Sequence, residues 1–221
     1  MNSGTTLSNP MQEDLFSSQT EQPQVFELGD SCRLVYVKNW LPQDEAQHLM
    51  GQLRSQLPWQ QPYITVAGKK TRIPRMQCWF GDKGAALRYS AQTFEPLPWD
   101  KRLSTIKNRL QDTFQSPYNS VLANLYRDGA DAVGWHADNE RELGSTPVIA
   151  SVSLGETRKF LIKPRAGVDG NRCEFYLGSG DALIMSGNFQ RNWLHSLPKT
   201  RKPVGERINL TYRNVLVQKE V

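Results

Sequence analysis

Histidine is scarce in this chain: three among 221 residues, at His48, His136 and His195. Cysteine is no commoner. Cys32, Cys78 and Cys173 stand alone, odd in number, without the paired spacing of a thiolate zinc site. That argues against a disulfide framework and suits reduced thiols in a cytosolic protein. No run of about 18 apolar residues occurs, so no spanning helix and no membrane partner are expected. The opening "MNSGTTLSNPMQEDLFSSQ" has neither a basic start nor an apolar segment, and does not read as a secretory signal. The first 30 residues also lack lysine and arginine while holding five of the 22 acids. The other 191 residues therefore carry 27 bases against 17 acids, net +10, in a chain whose total is +5. Such a basic body favours a polyanionic partner.

What is present falls into a tail and one domain. Residues 1–24 are polar, rich in Ser, Thr and Gln and without periodicity, and are expected to be a flexible tail. Residues 25–221 have the length of a single domain. "CRLVYVKNW" reads as a first strand, and Leu41, Ala46, Leu49, Met50, Leu53 and Leu57 form a helical stripe behind Pro42 and Asp44. "YITVAGKKTRIPRMQCWFGD" reads as a hairpin turning at Gly68, and "ALRYSA" as a short strand. A second helix is expected over 99–115, on the stripe Leu103, Ile106, Leu110 and Phe114. From Asn119 onward helical periodicity disappears. "SVLANLY", "VIASVSL", "RKFLIKP", "CEFYLGSG", "DALIMSG" and "RINLTYRNVLV" alternate with Gly, Asp and Pro turns. Many short strands with two outer helices predict a mainly β, α+β domain built as a sandwich or jelly roll.

Two strands carry polar faces. Strand side chains alternate, so "RINLTYR" puts Arg207, Asn209, Thr211 and Arg213 on one side and Ile208, Leu210 and Tyr212 on the other. "LANLY" likewise sets Leu122, Asn124 and Tyr126 together. A single such face is usually solvated, but two guanidiniums lining a barrel mouth could hold a small dicarboxylate by bidentate, charge-assisted bonds. "GWHADNE" then places His136 and Asp138 two residues apart on an extended segment, aimed the same way. A third metal ligand would come from His195 in "NWLHSLP" or from His48 on the first helix, although His48 has no acid or histidine at ligand spacing beside it. Two histidines and a carboxylate form a facial triad that leaves positions open for Fe(II) chemistry with a chelating oxoacid and O2. Zinc could take the same ligands, but would leave the arginine face without a purpose.

With these residues in this order, the sequence resembles the AlkB family of Fe(II)/2-oxoglutarate-dependent nucleic-acid dealkylases, from about Cys32 to Val217. The matching stretches are "PRMQCWFGD", "NLYRDGADAVGWHADNERELG", "IASVSLG", "GDALIMSG", "HSLP" and "RINLTYRNV", and the branch most resembled repairs duplex DNA. The resemblance implies a double-stranded β-helix (jelly-roll) core over about 116–217, with 25–115 forming a substrate-lid part. It implies His136, Asp138 and His195 as iron ligands. It makes Asn124, Tyr126, Arg207, Asn209, Thr211 and Arg213 the 2-oxoglutarate site. Tyr89 falls where an aromatic stacks on the flipped base opposite the His136 ring, Asn139 and Glu140 where polar residues meet the damaged base, and Arg75 where a basic residue belongs to the lid.

Two departures stand out. Duplex-repair relatives place a bulky aromatic beside the hairpin glycine, where this chain has Ala67 with Val66 before it and Gly68 and Lys69 after it. Leu87 replaces an aromatic in the lid. The implied activity is oxidative demethylation of 1-methyladenine or 3-methylcytosine, using Fe(II), 2-oxoglutarate and O2 and releasing formaldehyde, succinate and CO2. The expected partner is DNA with alkylated bases, single-stranded or duplex, or RNA. The expected state is a monomer in the cytoplasm, or in the nucleus of a eukaryotic cell. Competing readings are an RNA demethylase or protein hydroxylase of the same class, and a nucleic-acid-binding module with a vestigial metal site.

Overall fold

In a computed structural model, residues 21–66, 68–89 and 92–216 are described. The expected flexible tail, apart from its last residues, lies outside them. Fifteen strands run in order: β1 (Gln24–Glu27), β2 (Cys32–Val37), β3 (Tyr63–Val66), β4 (Lys69–Arg72), β5 (Met76–Gly81), β6 (Leu87–Tyr89), β7 (Gln92–Phe94), β8 (Ser120–Tyr126), β9 (Val133–His136), β10 (Ile149–Gly155), β11 (Arg158–Pro164), β12 (Cys173–Leu177), β13 (Ala182–Gly187), β14 (Trp193–Leu197) and β15 (Arg207–Arg213). Two helices, α1 (Gln43–Gln56) and α2 (Lys101–Phe114), and the short α3 (Phe189–Asn192) complete the set, with a 3-10 turn at Arg141–Leu143.

The strands make two facing sheets. The large one has the order β1-β2-β13-β10-β15-β8-β5 and the small one β12-β11-β14-β9. Every pairing is antiparallel. This is the expected jelly-roll core, and the two-residue period explains its layers. Odd positions of β10 and β15 and even positions of β8 face inward, and the residues between them face outward, so these central strands serve both sides of the large sheet. Val121, Ala123, Leu125, Val152, Ile208, Leu210 and Tyr212 pack outward against Leu49 and Leu53 of α1 and Leu103, Ile106 and Leu110 of α2. Leu34, Ile149, Leu183 and Met185 face inward to Phe160, Ile162, Phe189 and Trp193.

Both helices start and stop where the sequence dictates. Asp100 caps α2 by accepting from the Arg102 amide at 2.9 Å, and Gln115 ends it in a left-handed turn. Pro42 precedes α1, Asp44 and Glu45 occupy its first turn, and Leu57 ends it in extended backbone ahead of Pro58. The Tyr212 hydroxyl donates to the Leu103 carbonyl at 2.9 Å, pinning α2 to β15.

Within the stretch 25–115, β1, β2 and β5 are strands of the large sheet, and α1 and α2 cover its outer face. Among the described residues, the β3–β4 and β6–β7 hairpins are the strands outside the two main sheets. No helix among the described residues is long and apolar enough to cross a membrane.

Candidate active site

β9 and β14 are neighbours in the small sheet, and their register sets His136 directly opposite His195. The chain leaves β9 after His136, so Asp138 turns back toward the same point. One ligand atom from each of the three residues lies within 4.8 Å of the others, a group able to hold a metal ion. His48 is excluded from it: on exposed α1, beyond the large sheet, its ring nitrogen meets the Gln52 amide at 2.9 Å.

Each group is held by its own chemistry. The Asp138 amide donates to Oε1 of the buried Gln190 at 2.9 Å. Asp138 Oδ1 accepts from Arg213 Nη2 at 2.8 Å, and its Oδ2 lies 3.8 Å from His195 Nε2. Burial pushes the Asp138 carboxyl up, but Arg213, His195 and His136 together hold it well below the usual carboxylate range. The group is thus an anion ready for a cation. His136 Nδ1 sits 2.9 Å from the Gly134 carbonyl, which can only accept, so Nε2 keeps the lone pair that a metal needs. Burial, then the neighbouring His136, pulls His195 down to about 3, which keeps its imidazole neutral.

The same cavity extends along β8 and β15. Register places Arg207 opposite Tyr126, Asn209 opposite Asn124 and Thr211 opposite Leu122, all on the inward face. Arg75, just before β5, reaches in and donates from Nε to Asn124 Oδ1 at 2.8 Å. It therefore joins the inner wall, which its expected place in a lid did not suggest. Arg207 Nη2 donates to Ser153 Oγ at 2.8 Å, and Asn209 Nδ2 to Ser151 Oγ at 2.7 Å. Leu122, Val133, Phe160, Met185 and Leu197 supply the apolar wall.

Charge is unbalanced in this space. Three guanidiniums, Arg75, Arg207 and Arg213, line it against one carboxylate, Asp138. Burial pushes Arg207 down to about 10, so it stays cationic at neutral pH. Among the described residues, Arg207 Nε and Arg213 Nε and Nη1 are buried without a hydrogen-bond partner. Buried donors without acceptors are costly, and a small dianionic oxoacid would satisfy them. The donor set thus fits 2-oxoglutarate at the arginines and a divalent metal at the triad.

The remaining expected residues lie around this core. Gly68 makes the β3–β4 turn with φ +77, and Lys69 opens β4, exposed. Val66 ends β3, while Leu87 and Tyr89 bound β6. Their side chains, and all of Ala67, lie outside the described residues. Asn139 is exposed and Glu140 is half-buried, both beside the cavity and not among the residues lining it. Burial, then Asp138, raises the Glu140 carboxyl.

Four residues that shape the site give weak or no signal in the sequence. Ser151 and Ser153 alternate with Ala150, Val152 and Leu154, a pattern that the strand rule would have flagged. Gln190 gives no local signal. Arg158, buried, donates to the carbonyls of Asp128 at 3.0 Å, Asp131 at 3.0 Å and Pro198 at 2.8 Å, and its guanidinium lies 6.0 Å from the Tyr126 ring centroid. It ties the loops on either side of the cosubstrate wall to β11.

Comparison with known proteins settles the lineage. Residues 33–213 match the family described as the 2OG-Fe(II) oxygenase superfamily. The chain is 33% identical to the DNA oxidative demethylase ALKBH2 of Arabidopsis thaliana over 90% of its own length and 72% of that protein's. The chain belongs to the AlkB family of 2OG-Fe(II) oxygenases. It is also 37% identical to the human alpha-ketoglutarate-dependent dioxygenase alkB homolog 3 over 77% of its length, and 36% identical to human ALKBH2 over 71%; each match spans 62% of the human protein. The solved structure of OsALKBH1 superposes with a TM-score of 0.62 at 19% identity, covering 87% of this chain and all of that one, which supports the fold. As a member of this family the chain is a dioxygenase whose cofactors are Fe(II), 2-oxoglutarate and O2.

Proposed function

We propose that this AlkB-family enzyme removes methyl groups from 1-methyladenine and 3-methylcytosine in DNA, reversing alkylation damage directly. The observation that carries the reading is the paired arrangement in one cavity: a His–Asp–His triad beside buried arginine donors, supported by the two ALKBH2 relatives, which are DNA oxidative demethylases by their printed names. In this reading His136, Asp138 and His195 hold the metal. Arg207 anchors the far carboxylate of 2-oxoglutarate, with Tyr126, Asn124, Asn209 and Thr211 beside it, and Arg213 fixes Asp138. Bound there, Fe(II) and 2-oxoglutarate supply oxidation of the methyl C–H by O2, so that the methyl leaves as formaldehyde while the cosubstrate ends as succinate and CO2.

The protein's own part is placement and shielding. Phe160, Leu197 and Met185 exclude water from the reacting carbon. The target atom is on the pairing edge of the base, so the base must leave the stack to enter. N1 or N3 methylation makes the base cationic, which suits Glu140 beside the cavity mouth. Tyr89 is proposed to stack on the base against the His136 ring, with Asn139, Arg75 and Leu87 around it. Phosphates meet Lys69, Lys70, Arg201 and Lys202. The enzyme acts as a monomer, in the nucleus of a eukaryotic cell or otherwise in the cytoplasm.

The experiment is mass spectrometry of methylated oligonucleotides incubated with Fe(II), 2-oxoglutarate and ascorbate, with DNA, RNA and a lysine-methylated peptide in parallel. Loss of 14 mass units only from the peptide would replace this reading by a protein-directed one. A strand preference should follow from the hairpin. Flipping a base out of a duplex costs a few kcal/mol, and a wedge offsets part of it. Alanine at 67 offers little surface and Val66 only some. We expect kcat/KM on a methylated single strand to exceed that on the annealed duplex, and Ala67→Phe to narrow the ratio. A wild type that prefers duplex would contradict this.

A further inference from the structure

The cavity opens along β9. Asp138 and His195 are buried, whereas His136 is only partly covered and Gly134 and Trp135 beside it are exposed. β9 is also an edge strand of the small sheet. Successive strand residues face opposite ways, so His136 points into the cavity and Trp135 out of it. A nucleic-acid strand with one base in the cavity can therefore run past this edge with the nucleotides beyond the immediate neighbours of that base.

The outer face there is built from aromatics and cations. Trp135 keeps 37% of its surface exposed. Lys163 Nζ on β11 lies 4.5 Å from its ring centroid, and the Arg172 guanidinium lies 5.6 Å away. Tyr176 on β12, 60% exposed, carries Lys159 Nζ at 5.4 Å. Lys159 is neutralised by Glu174 at 2.7 Å, but among the described residues neither Lys163 nor Arg172 forms an ion pair. Exposed cation–π pairs contribute little to folding, so they do not by themselves account for a tryptophan left facing water. Aromatic rings interleaved with unpaired cations on an open sheet suit single-stranded nucleic acid: bases stack on the ring and phosphates meet the charges.

We infer that the outer face of the small sheet is a docking platform for the single strand flanking the reacting base, with one base stacked on Trp135 and phosphates held by Lys163 and Arg172. This rests on the nucleic-acid reading proposed above.

The test compares a twelve-nucleotide single strand carrying one central methylated base with the trinucleotide around the same lesion. Binding is measured by fluorescence anisotropy and turnover by mass spectrometry. Trp135→Ala should weaken binding of the long strand about tenfold while shifting the trinucleotide by less than about twofold. Trp135→Phe should retain most of the affinity. Lys163→Ser with Arg172→Ser, which leaves the residue next to His136 untouched, should flatten the slope of log affinity against log salt by about 1.4 for the long strand. The platform is overturned if Trp135→Ala binds the long strand like wild type, or loses the same factor on both lengths. It is equally overturned if poly-glutamate competes as well as an oligonucleotide of equal charge. A wild type that binds and demethylates neither strand would instead bring down the functional reading, and the platform with it.

Discussion

Asp138→Ala should abolish turnover and also lower the melting temperature of the metal-free protein by about 10 °C, whereas His136→Ala should abolish turnover and leave the melt nearly unmoved. Both remove a ligand from a three-member site, and loss of more than about a hundredfold in activity is expected from either. They differ in what they leave behind. Asp138 is the ion-pair partner of the buried Arg213, at 2.8 Å. Truncating it strands a charge away from water, which costs about 3–5 kcal/mol, and a domain of this size loses roughly 2–4 °C per kcal/mol. Among the described residues the His136 side chain, at the cavity mouth, hydrogen-bonds only to the nearby Gly134 carbonyl. The pair should also show in acid. Because the folded Asp138 carboxyl is held well below its unfolded value, its contribution is full above about pH 4 and fades as pH falls through the folded value. The melting gap between wild type and Asp138→Asn should therefore narrow only in strong acid. Equal stability of Asp138→Ala and wild type would contradict the pairing.

Arg207→Ala should weaken 2-oxoglutarate binding about ten- to more than a hundredfold. The guanidinium is almost fully buried and lies 5.4 Å from the Tyr126 ring centroid. One amine is bonded to Ser153, and Nε has no partner among the described residues. A charge-assisted bond in such a place is worth about 1.5–3 kcal/mol, which converts to that range of affinity. Arg207→Lys should not restore it, since an ammonium cannot present the fork that matches a carboxylate. Calorimetry with 2-oxoglutarate and Mn(II) in place of iron reads the constant without turnover. An unchanged constant would show that the far carboxylate binds elsewhere.

How much of this was written legibly in the chain depended on whether the signal was local. The Arg-x-Asn-x-Thr-x-Arg face of β15 could be read from alternation, and its burial in the structure shows that this face is not a solvated one. The His136–Asp138 pair was equally local, His195 came from the family resemblance, and the structure sets His48 on a helix on the far side of the large sheet. Ser151 and Ser153 follow the same alternation as β15, but hydroxyls carry no charge and pass as ordinary strand residues. Gln190 and Arg158 act through backbone groups 27 to 52 residues away, which no local pattern encodes. The same holds for β2 and β5. Their place in the large sheet depends on pairing β2 with β13 and β5 with β8, contacts set by the closed barrel and not by either strand's own residues.

The most direct measurement is a balance sheet of one reaction: a single-stranded DNA oligonucleotide bearing one 1-methyladenine, incubated with the enzyme, Fe(II), 2-oxoglutarate and O2, with demethylated oligonucleotide, formaldehyde and succinate quantified together. The account predicts the three products in equal amounts, all absent without iron and all absent with His136→Ala. Succinate released with the methylated base left intact, in DNA and in RNA alike, would contradict it.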